Sequence, residues 1–508
     1  MNAGPERSPA PVAAGDPGAE RHYAVVDIGS NSVRLVVYEQ LGRAPLPRFN
    51  EKSMCRLGEG LEESGVIAAD AFARTLEAMR RFRAVAEAMD VGCIDVLATE
   101  AMRRASNGAD LVRAIRAEAG FDVRVLSGAE EAHFASLGVV VGFHRPTGVV
   151  GDMGGGSVEL AEVTDGQVGA DTHSLPLGAL PVQFLLARDG LDAKRRIDAK
   201  LKEALPGERT TPVFYAVGGG WRALARVHMA SVDAPVPVVH GYRVDARELR
   251  AFAKSILRMP EGKIASLPGL PSRRGRTLAA SALVMDRVVK RIAPEQVVFS
   301  ALGVREGWLY HRLGSAEQKQ DPLIVGVRAI GQTFARVPRF ADALVRWTDD
   351  LLPAETQGER RLRVAACALS DIAWRDDAGI RAGESFRRLL EAPFIGLDHA
   401  GRAFIAAIVH ARYAGSPSDP VLSPATRLLP PELCRRALII GRAMLLGYRL
   451  SGSVPEILAS ARLRVGGGVV RLEVGKAARV PDSEVVANRL NLVASAAGAK
   501  RTEIVETA

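Results

Sequence analysis

The sequence predicts two similar α/β halves in tandem, followed by a mainly helical region. Three observations carry this. A glycine-rich hairpin pattern occurs twice; apolar strands and helical stretches follow each copy; and strand signals nearly vanish beyond about residue 314. The second copy is VVGDMGGGSVEL, residues 149–160, and the first lies within YAVVDIGSNSVRLVVYE, residues 23–39. With Asp27 set on Asp152, Gly29 meets Gly154, Ser32 meets Ser157, Val33 meets Val158 and Leu35 meets Leu160. Each copy reads as apolar strand, acid, Gly/Ser-rich turn, apolar strand, which puts backbone N–H groups at the tip of a tight hairpin. Matched polar positions between matched strands point to duplication of a small domain.

The remaining elements follow in order. Residues 66–90 place Phe72, Leu76, Met79 and Phe82 at helical spacing. CIDVLAT is a strand ending at Thr99, and the helical stretch after it is interrupted around Ser106–Gly108. DVRVLS is a further strand and GAEEAHFASLGVVVGF a helix. In the second half VFYAV runs into Gly218, Gly219 and Gly220 and the helix WRALARVHM, and residues 295–313 read as strand, loop and helix. Helices rich in Arg, Ala and Leu then fill about 325–460, and LRVGGGVVRLEV closes the pattern as a short strand-like tail. The domains expected are a disordered Pro/Gly-rich tail (1–20), an α/β domain (21–128), a second α/β domain (129–313) and a mainly helical domain (314–508).

Composition narrows the function classes. A chain of 508 residues exceeds one core, and about two to four domains are expected. Apolar content of 47% with 25% charge is that of a soluble globular protein. The formal charge of +9 suits a polyanionic partner, yet only 5% of residues are aromatic, too few for base-stacking platforms, so nucleic acid is not expected. Cys55, Cys93, Cys367 and Cys434 form no CxxC pair, which argues against zinc ribbons and disulfide frameworks and for a reducing cytoplasm. The most apolar late segment, CRRALIIGRAMLLGYRL, is broken by Arg435, Arg436, Arg442 and Arg449, and no membrane span is expected.

Two glycine-rich hairpins, each headed by an aspartate, suit a phosphate clamp. Bare amides approach the anion, and the aspartates are placed to hold a divalent cation directly or through water. The stretches AVVDIGSNSVRLVVYE, ATEAMRRA, LSGAEEAHFASLGV, VVGDMGGGSVEL, SLPLGAL and LGVREGWLY resemble, in this order, the motifs of the exopolyphosphatase / guanosine-pentaphosphate phosphohydrolase family over residues 21–313. That family belongs to the superfamily of sugar kinases, heat-shock chaperones and actin. The resemblance implies two ribonuclease H-like domains facing a cleft and a C-terminal domain of HD-phosphohydrolase type. It implies Mg²⁺-dependent removal of terminal phosphate from inorganic polyphosphate, or of the γ-phosphate from guanosine pentaphosphate, and a homodimer.

Residue by residue, the resemblance assigns Asp27, Ser30 and Asn31 to the first phosphate loop and Asp152, Gly155, Gly156 and Ser157 to the second. Asp27, Asp152 and Glu159 are the metal candidates. Arg103 falls on a phosphate-contacting arginine, with Arg104 the alternative register, and Glu131 falls on the acid that activates water. Glu159 could serve metal or water. Glu130 is expected to face solvent, because helix neighbours do not share a face. The third glycine loop departs from the family pattern, with Gly220 where a hydroxyl residue is usual; Trp221 after it reads as core. CALSDIAW has Ser370 before Asp371 where a metal-binding HD domain has His, so no second metal centre is expected around Asp398, His399 and His410. Basic groups at Lys194–Arg196, Arg273–Arg276 and Arg287–Arg291, and the arginines Arg360, Arg361, Arg363, Arg387, Arg388, Arg435 and Arg436, could line a path for a long polyanion. The competing readings are a superfamily kinase with a nucleotide site at 218–221 and a non-catalytic polyphosphate or alarmone sensor.

Overall fold

The computed structural model describes residues 22–190, 192–206, 211–352, 354–475 and 483–507, with Arg273 described in its backbone only. The expected tail, 1–20, lies outside the described residues. The chain divides into two units. One runs to His228 and resumes over Arg243–Gln320; the other joins Met229–Tyr242 to Asp321–Ala508.

The first unit contains two sheets. Strands β1 (His22–Ile28), β2 (Val33–Tyr38), β3 (Pro47–Ser53), β4 (Val91–Ala98) and β5 (Val123–Val125) lie in the order β3-β2-β1-β4-β5. Strands β6 (Gly148–Met153), β7 (Val158–Thr164), β8 (Gln167–Leu175), β9 (Thr211–Val217), β10 (Arg243–Asp245) and β11 (Pro294–Phe299) form the order β10-β11-β9-β6-β7-β8. Three antiparallel strands joined to two parallel ones recur in both, so β6, β7, β8, β9 and β11 repeat β1 to β5. This is the doubled ribonuclease H-like architecture, and the repeat extends to single bonds. Gly29 N–H donates to Ser32 O at 3.1 Å, and Gly154 N–H to Ser157 O at 3.0 Å. Asp27 stands opposite Arg34, and Asp152 opposite Glu159.

Central strands are apolar on both faces because each is covered twice. On the first sheet Leu76, Met79 and Phe82 of the helix Ala69–Ala88 pack with Val26, Leu35 and Val96. The helical stretch after Thr99 breaks as expected, into Glu100–Arg104 and Gly108–Ala119. The edge strands β3 and β8 have no counterpart in the sequence reading. Their residues, PRFNEKS and QVGADTHSL, are polar and largely solvent-facing, the usual composition of an edge that must not pair with another chain.

Two helices tie the sheets together: Gly128–Gly142 and Val304–Arg312. They cross backbone to backbone. A methyl group at Gly307 would overlap Phe134 O, and one at Gly138 would overlap the Gly303 backbone. Phe134, Trp308 and Leu309 bury against Tyr23, Val25 and Tyr38 of the first sheet. Trp308 Nε1 donates to Asp95 Oδ2 at 2.6 Å.

The second unit is mainly helical, with Phe340, Trp347, Phe386, Phe404, Ile440 and Met444 in its core and Trp347 Nε1 donating to Ala443 O at 2.8 Å. The tail expected near 463–474 forms β12 (Ala461–Gly466) and β13 (Val469–Gly475); β14 (Arg501–Thr507), parallel to β13, completes an unforeseen sheet. Among the described residues no helix is long and apolar enough to cross a membrane.

Gly307→Ala should force the helix pair apart and destabilise the first unit by about 1–3 kcal/mol, the cost of overpacking. Thermal unfolding should show a lower Tm, whereas Gly262→Ala, in the helix Glu261–Ala265 where added carbon meets nothing within 4 Å, should not lower it.

Candidate functional site

The hairpin tips of the two sheets meet. A Cβ at Gly155 would lie 2.8 Å from Ser30 Cβ, so only glycine lets the second loop approach the first. The loop carbonyls are taken up by the segments that follow. Gly58 N–H donates to Ser30 O at 2.7 Å and Arg56 N–H to Asn31 O at 3.1 Å; Leu180 N–H donates to Gly155 O at 2.8 Å and Gly178 N–H to Gly156 O at 3.1 Å. Nothing among the described residues accepts from the N–H groups of Ser30, Asn31, Gly155 or Gly156. These amides remain available to an anion.

Beside the tips is a cleft of about 180 Å³. It is lined by Asp27, Ser30, Asn31, Glu131, Asp152, Gly155, Gly156, Ser157 and Glu159, which brings together every candidate named from sequence except Arg103. Asp27 and Asp152 come from the ends of the equivalent strands β1 and β6, and Glu159 from β7. Glu131 stands in the first turn of Gly128–Gly142, where the cap explains the division between neighbouring acids. Ser127 N–H donates to Glu130 Oε2 at 2.8 Å, and Glu130 N–H donates to Ser127 Oγ at 3.2 Å. Arg124 Nη2 also donates to Glu130 at 2.6 Å, so Glu130 is spent on the helix end while Glu131, 6% exposed, faces the cleft.

Arg103 Nη1 donates to Glu131 Oε2 at 2.7 Å and also to Leu126 O, so its guanidinium holds the glutamate and is not on the cleft wall. Arg104 Nη1 donates to Glu62 at 2.6 Å and to Glu100 at 2.7 Å. Sequence reading missed four charged wall residues, Glu100, Arg222, Arg305 and Glu306, while Arg274 belongs to the Arg273–Arg276 group named from sequence. Arg222 follows the third glycine run and Arg305–Glu306 lie in GVREGW, positions adjacent to motifs already singled out. Glu306 accepts from Tyr38 O–H at 2.9 Å and Gly303 N–H at 2.9 Å. Arg305 Nη1 is buried and has no hydrogen-bond partner. At the third loop, a side chain on Gly219 would meet the Arg274 guanidinium and one on Gly220 the Ser281 hydroxyl. Trp221 is fully buried and donates to Ser281 O at 3.2 Å, a core role.

The electrostatics follow from four acids in a small dry space. Burial pushes Asp152 up to about 6, with Arg222 opposing. It raises Asp27, with Arg305 opposing, and raises Glu159 well above the carboxylate range, reinforced by Glu131 and Asp152. Glu131 is pushed up to about 7 by burial; Arg103 pulls it down, and Asp152 and Asp27 raise it further. This is the signature of carboxylates awaiting a countercharge. Their oxygens are the donors a hard cation takes, but among the described residues no group of three or more acids, histidines or cysteines is disposed to hold a metal ion by itself. A cation here would complete its shell with phosphate oxygens or water.

The basic groups read as a polyanion path are largely neutralised. Arg195 pairs with Asp192, Arg196 with Asp189, and Arg287 and Lys290 with Asp198. In the second unit Arg360 and Arg363 pair with Asp349, Arg361 with Asp321, Arg387 with Glu384, Arg388 with Asp376, Arg435 with Glu432 and Arg436 with Glu359. The Arg273–Arg276 group differs: Arg274 stands on the cleft wall, and Arg276 lines the neighbouring pocket together with Ser30 and Asn31. Asp371 is committed to Arg336 and Arg412, each at 2.9 Å, while His399 contacts Val238 O and His410 contacts Asp419.

Because the Glu131 pKa is raised on folding, its contribution to stability is fully present below the unfolded value near 4.5 and is lost as pH rises through about 7. Glu131→Gln removes that loss. Its Tm should exceed that of the wild type at pH 8, by on the order of 2–4 °C per kcal/mol, and the difference should shrink at pH 5.

The chain matches the model of the Ppx/GppA phosphatase family over residues 35–316 and that described as "Exopolyphosphatase, C-terminal" over 323–505. Exopolyphosphatase 1 of Mycobacterium tuberculosis is 28% identical over 327 residues, covering 60% of this chain and 94% of that protein. Retrograde regulation protein 2 of Saccharomyces cerevisiae is 26% identical over 435 residues, covering 77% and 72%. An exopolyphosphatase structure from Cytophaga hutchinsonii superposes with a TM-score of 0.51 at 22% identity, covering 57% of this chain and 97% of that one. The Aquifex aeolicus family member gives 0.50 at 22%, covering 57% and 96%, and both speak for the fold. With the doubled fold, paired glycine-rich hairpins and a family match spanning both lobes, the chain belongs to the Ppx/GppA phosphatase family.

Proposed function

We propose that the protein is an exopolyphosphatase, hydrolysing the terminal phosphate of inorganic polyphosphate by attack of water. The carrying observation is the cleft itself: unsatisfied amides of two opposed loops beside a carboxylate poised near neutrality. Phosphoryl transfer needs positioning, charge neutralisation and one group to take the proton of the nucleophile. The N–H groups of Ser30, Asn31, Gly155 and Gly156 and the Ser157 hydroxyl bind the phosphate oxygens. Arg305, with a free buried Nη1, supplies positive charge. Glu131, oriented by Arg103, accepts the proton of water as its oxygen bonds to the terminal phosphorus and the bridging P–O bond breaks. Asp27, Asp152 and Glu159 would hold Mg²⁺, which when bound would neutralise phosphate charge.

Guanosine pentaphosphate is the second substrate reading, and the family membership favours it over a kinase, since the acid at Glu131 serves water as acceptor. The same reading includes a cytoplasmic homodimer; the four cysteines are free thiols.

Phosphate release from long polyphosphate and from guanosine pentaphosphate, assayed side by side with and without Mg²⁺, tests the proposal; no release from either substrate would refute it. Glu131→Gln should lower kcat by roughly 10²–10⁴, the worth of a positioned acid–base group, while Glu130→Gln should act mainly on stability. Asp152→Asn should raise the Mg²⁺ concentration needed for half-maximal rate, because a neutral amide replaces a charged hard ligand. Superimposable Mg²⁺ titrations would take Asp152 away from the metal.

A further inference from the structure

The helix Glu100–Arg104 sets an acid where the clamp expects an anion from outside. Glu100 is 6% exposed and lines the cleft. Its Oε2 accepts from Ser30 Oγ of the first loop at 3.2 Å. On the second loop, a methyl group at Gly156 would overlap the same carboxylate, so the glycine leaves room for this acid. The other oxygen accepts from Arg104 Nη1 at 2.7 Å, and Arg104 is held in turn by Glu62. The carboxylate therefore lies against both tips, bonded to the first through the Ser30 hydroxyl and packed on the second at Gly156, beside amides that no group among the described residues accepts from.

We propose that Glu100 is a built-in competitor of the substrate, an acid that occupies the anion site between the hairpin tips until a phosphate displaces it. The inference rests on the phosphohydrolase reading and adds a residue that sets the affinity threshold of the site. Competition follows from stoichiometry and charge. The Ser30 hydroxyl has one proton to donate and cannot give it to Glu100 and to a phosphate at once. Two anions at such range repel strongly in a dry cleft. Arg104, 37% exposed at its side chain, already pairs with the carboxylate on the side away from Ser30, so the acid can leave the tips without losing its countercharge. Substrates rich in phosphate displace the acid; weaker anions do not, which makes Glu100 a filter against stray carboxylates and single phosphates.

The test uses the full chain and calorimetric binding of inorganic phosphate and tripolyphosphate. Glu100→Gln keeps the shape and removes the charge, and should tighten phosphate binding by at least about tenfold, the effect of one like charge at close range. Glu100→Ala should do the same and covers the case in which the glutamine variant fails to fold. Arg104→Gln should weaken binding, because it removes the countercharge of the competitor, and should be silent in the Glu100→Gln background. Unchanged or weaker binding in both Glu100 variants overturns the inference, as does an Arg104→Gln loss that persists in the Glu100→Gln background, since Arg104 would then contact phosphate itself. If neither wild type nor any variant binds phosphate or releases it from polyphosphate, the phosphohydrolase reading falls and this inference with it. Wild-type binding that the Glu100 variants leave untouched removes the inference alone.

Discussion

The contact between Gly155 and Ser30 is the constraint on which the rest of the first unit depends. Two loops that bind one anion must present their amides within a phosphate's width, so their side chains must be small and their carbonyls engaged elsewhere. The segments 56–58 and 178–180 perform that second task, one for each loop. The sheets then have to hold two hairpins tip to tip, and the crossed glycine-backed helices between them supply the rigidity. The cleft is thus a property of two lobes together, and neither repeat contains it by itself.

Duplication explains the symmetry of this arrangement, and divergence explains its chemistry. Position for position the hairpins agree in strand, turn and leading aspartate. They differ where Arg34 in the first copy stands for Glu159 in the second. One side of the cleft thereby carries a base next to its aspartate and the other an acid. Burial raises the proton affinity of all four carboxylates; Arg305 and Arg34 temper Asp27, Arg222 tempers Asp152 and Arg103 tempers Glu131, while Glu131 and Asp152 drive Glu159 further up. A twofold scaffold has become a one-directional site, as a reaction with distinct attacking and leaving oxygens requires.

Much of this was legible in the sequence because the hairpins are local: acid, turn and strand lie within a dozen residues, and their repetition announces the fold. The family resemblance picked out Glu131, and helix geometry then turned Glu130 away from it, although the capping bond that consumes Glu130 is visible only in three dimensions. Glu100 escaped notice because an acid in the first turn of a helix ordinarily complements the helix dipole. Arg222 and Arg305 escaped because arginine is abundant in this chain and burial is not encoded locally. The basic groups present less charge than the sequence suggests for a related reason. Arg361 meets Asp321 and Arg436 meets Glu359 across long sequence separations, so counting arginines along the chain overstates the charge they present.

The segment Met229–Tyr242 leaves the α/β unit, contributes the fully buried Val236 to the helical core, and hands the chain back for Arg243–Gln320. The two units are therefore interleaved in the polypeptide and are not beads on a string. During synthesis the second lobe is completed only after this excursion, and the excursion finds its core only when the last third of the chain has been made. Deleting the C-terminal unit from this chain would strand an apolar stretch in the middle of the phosphatase lobe, so here the two units share one folding problem.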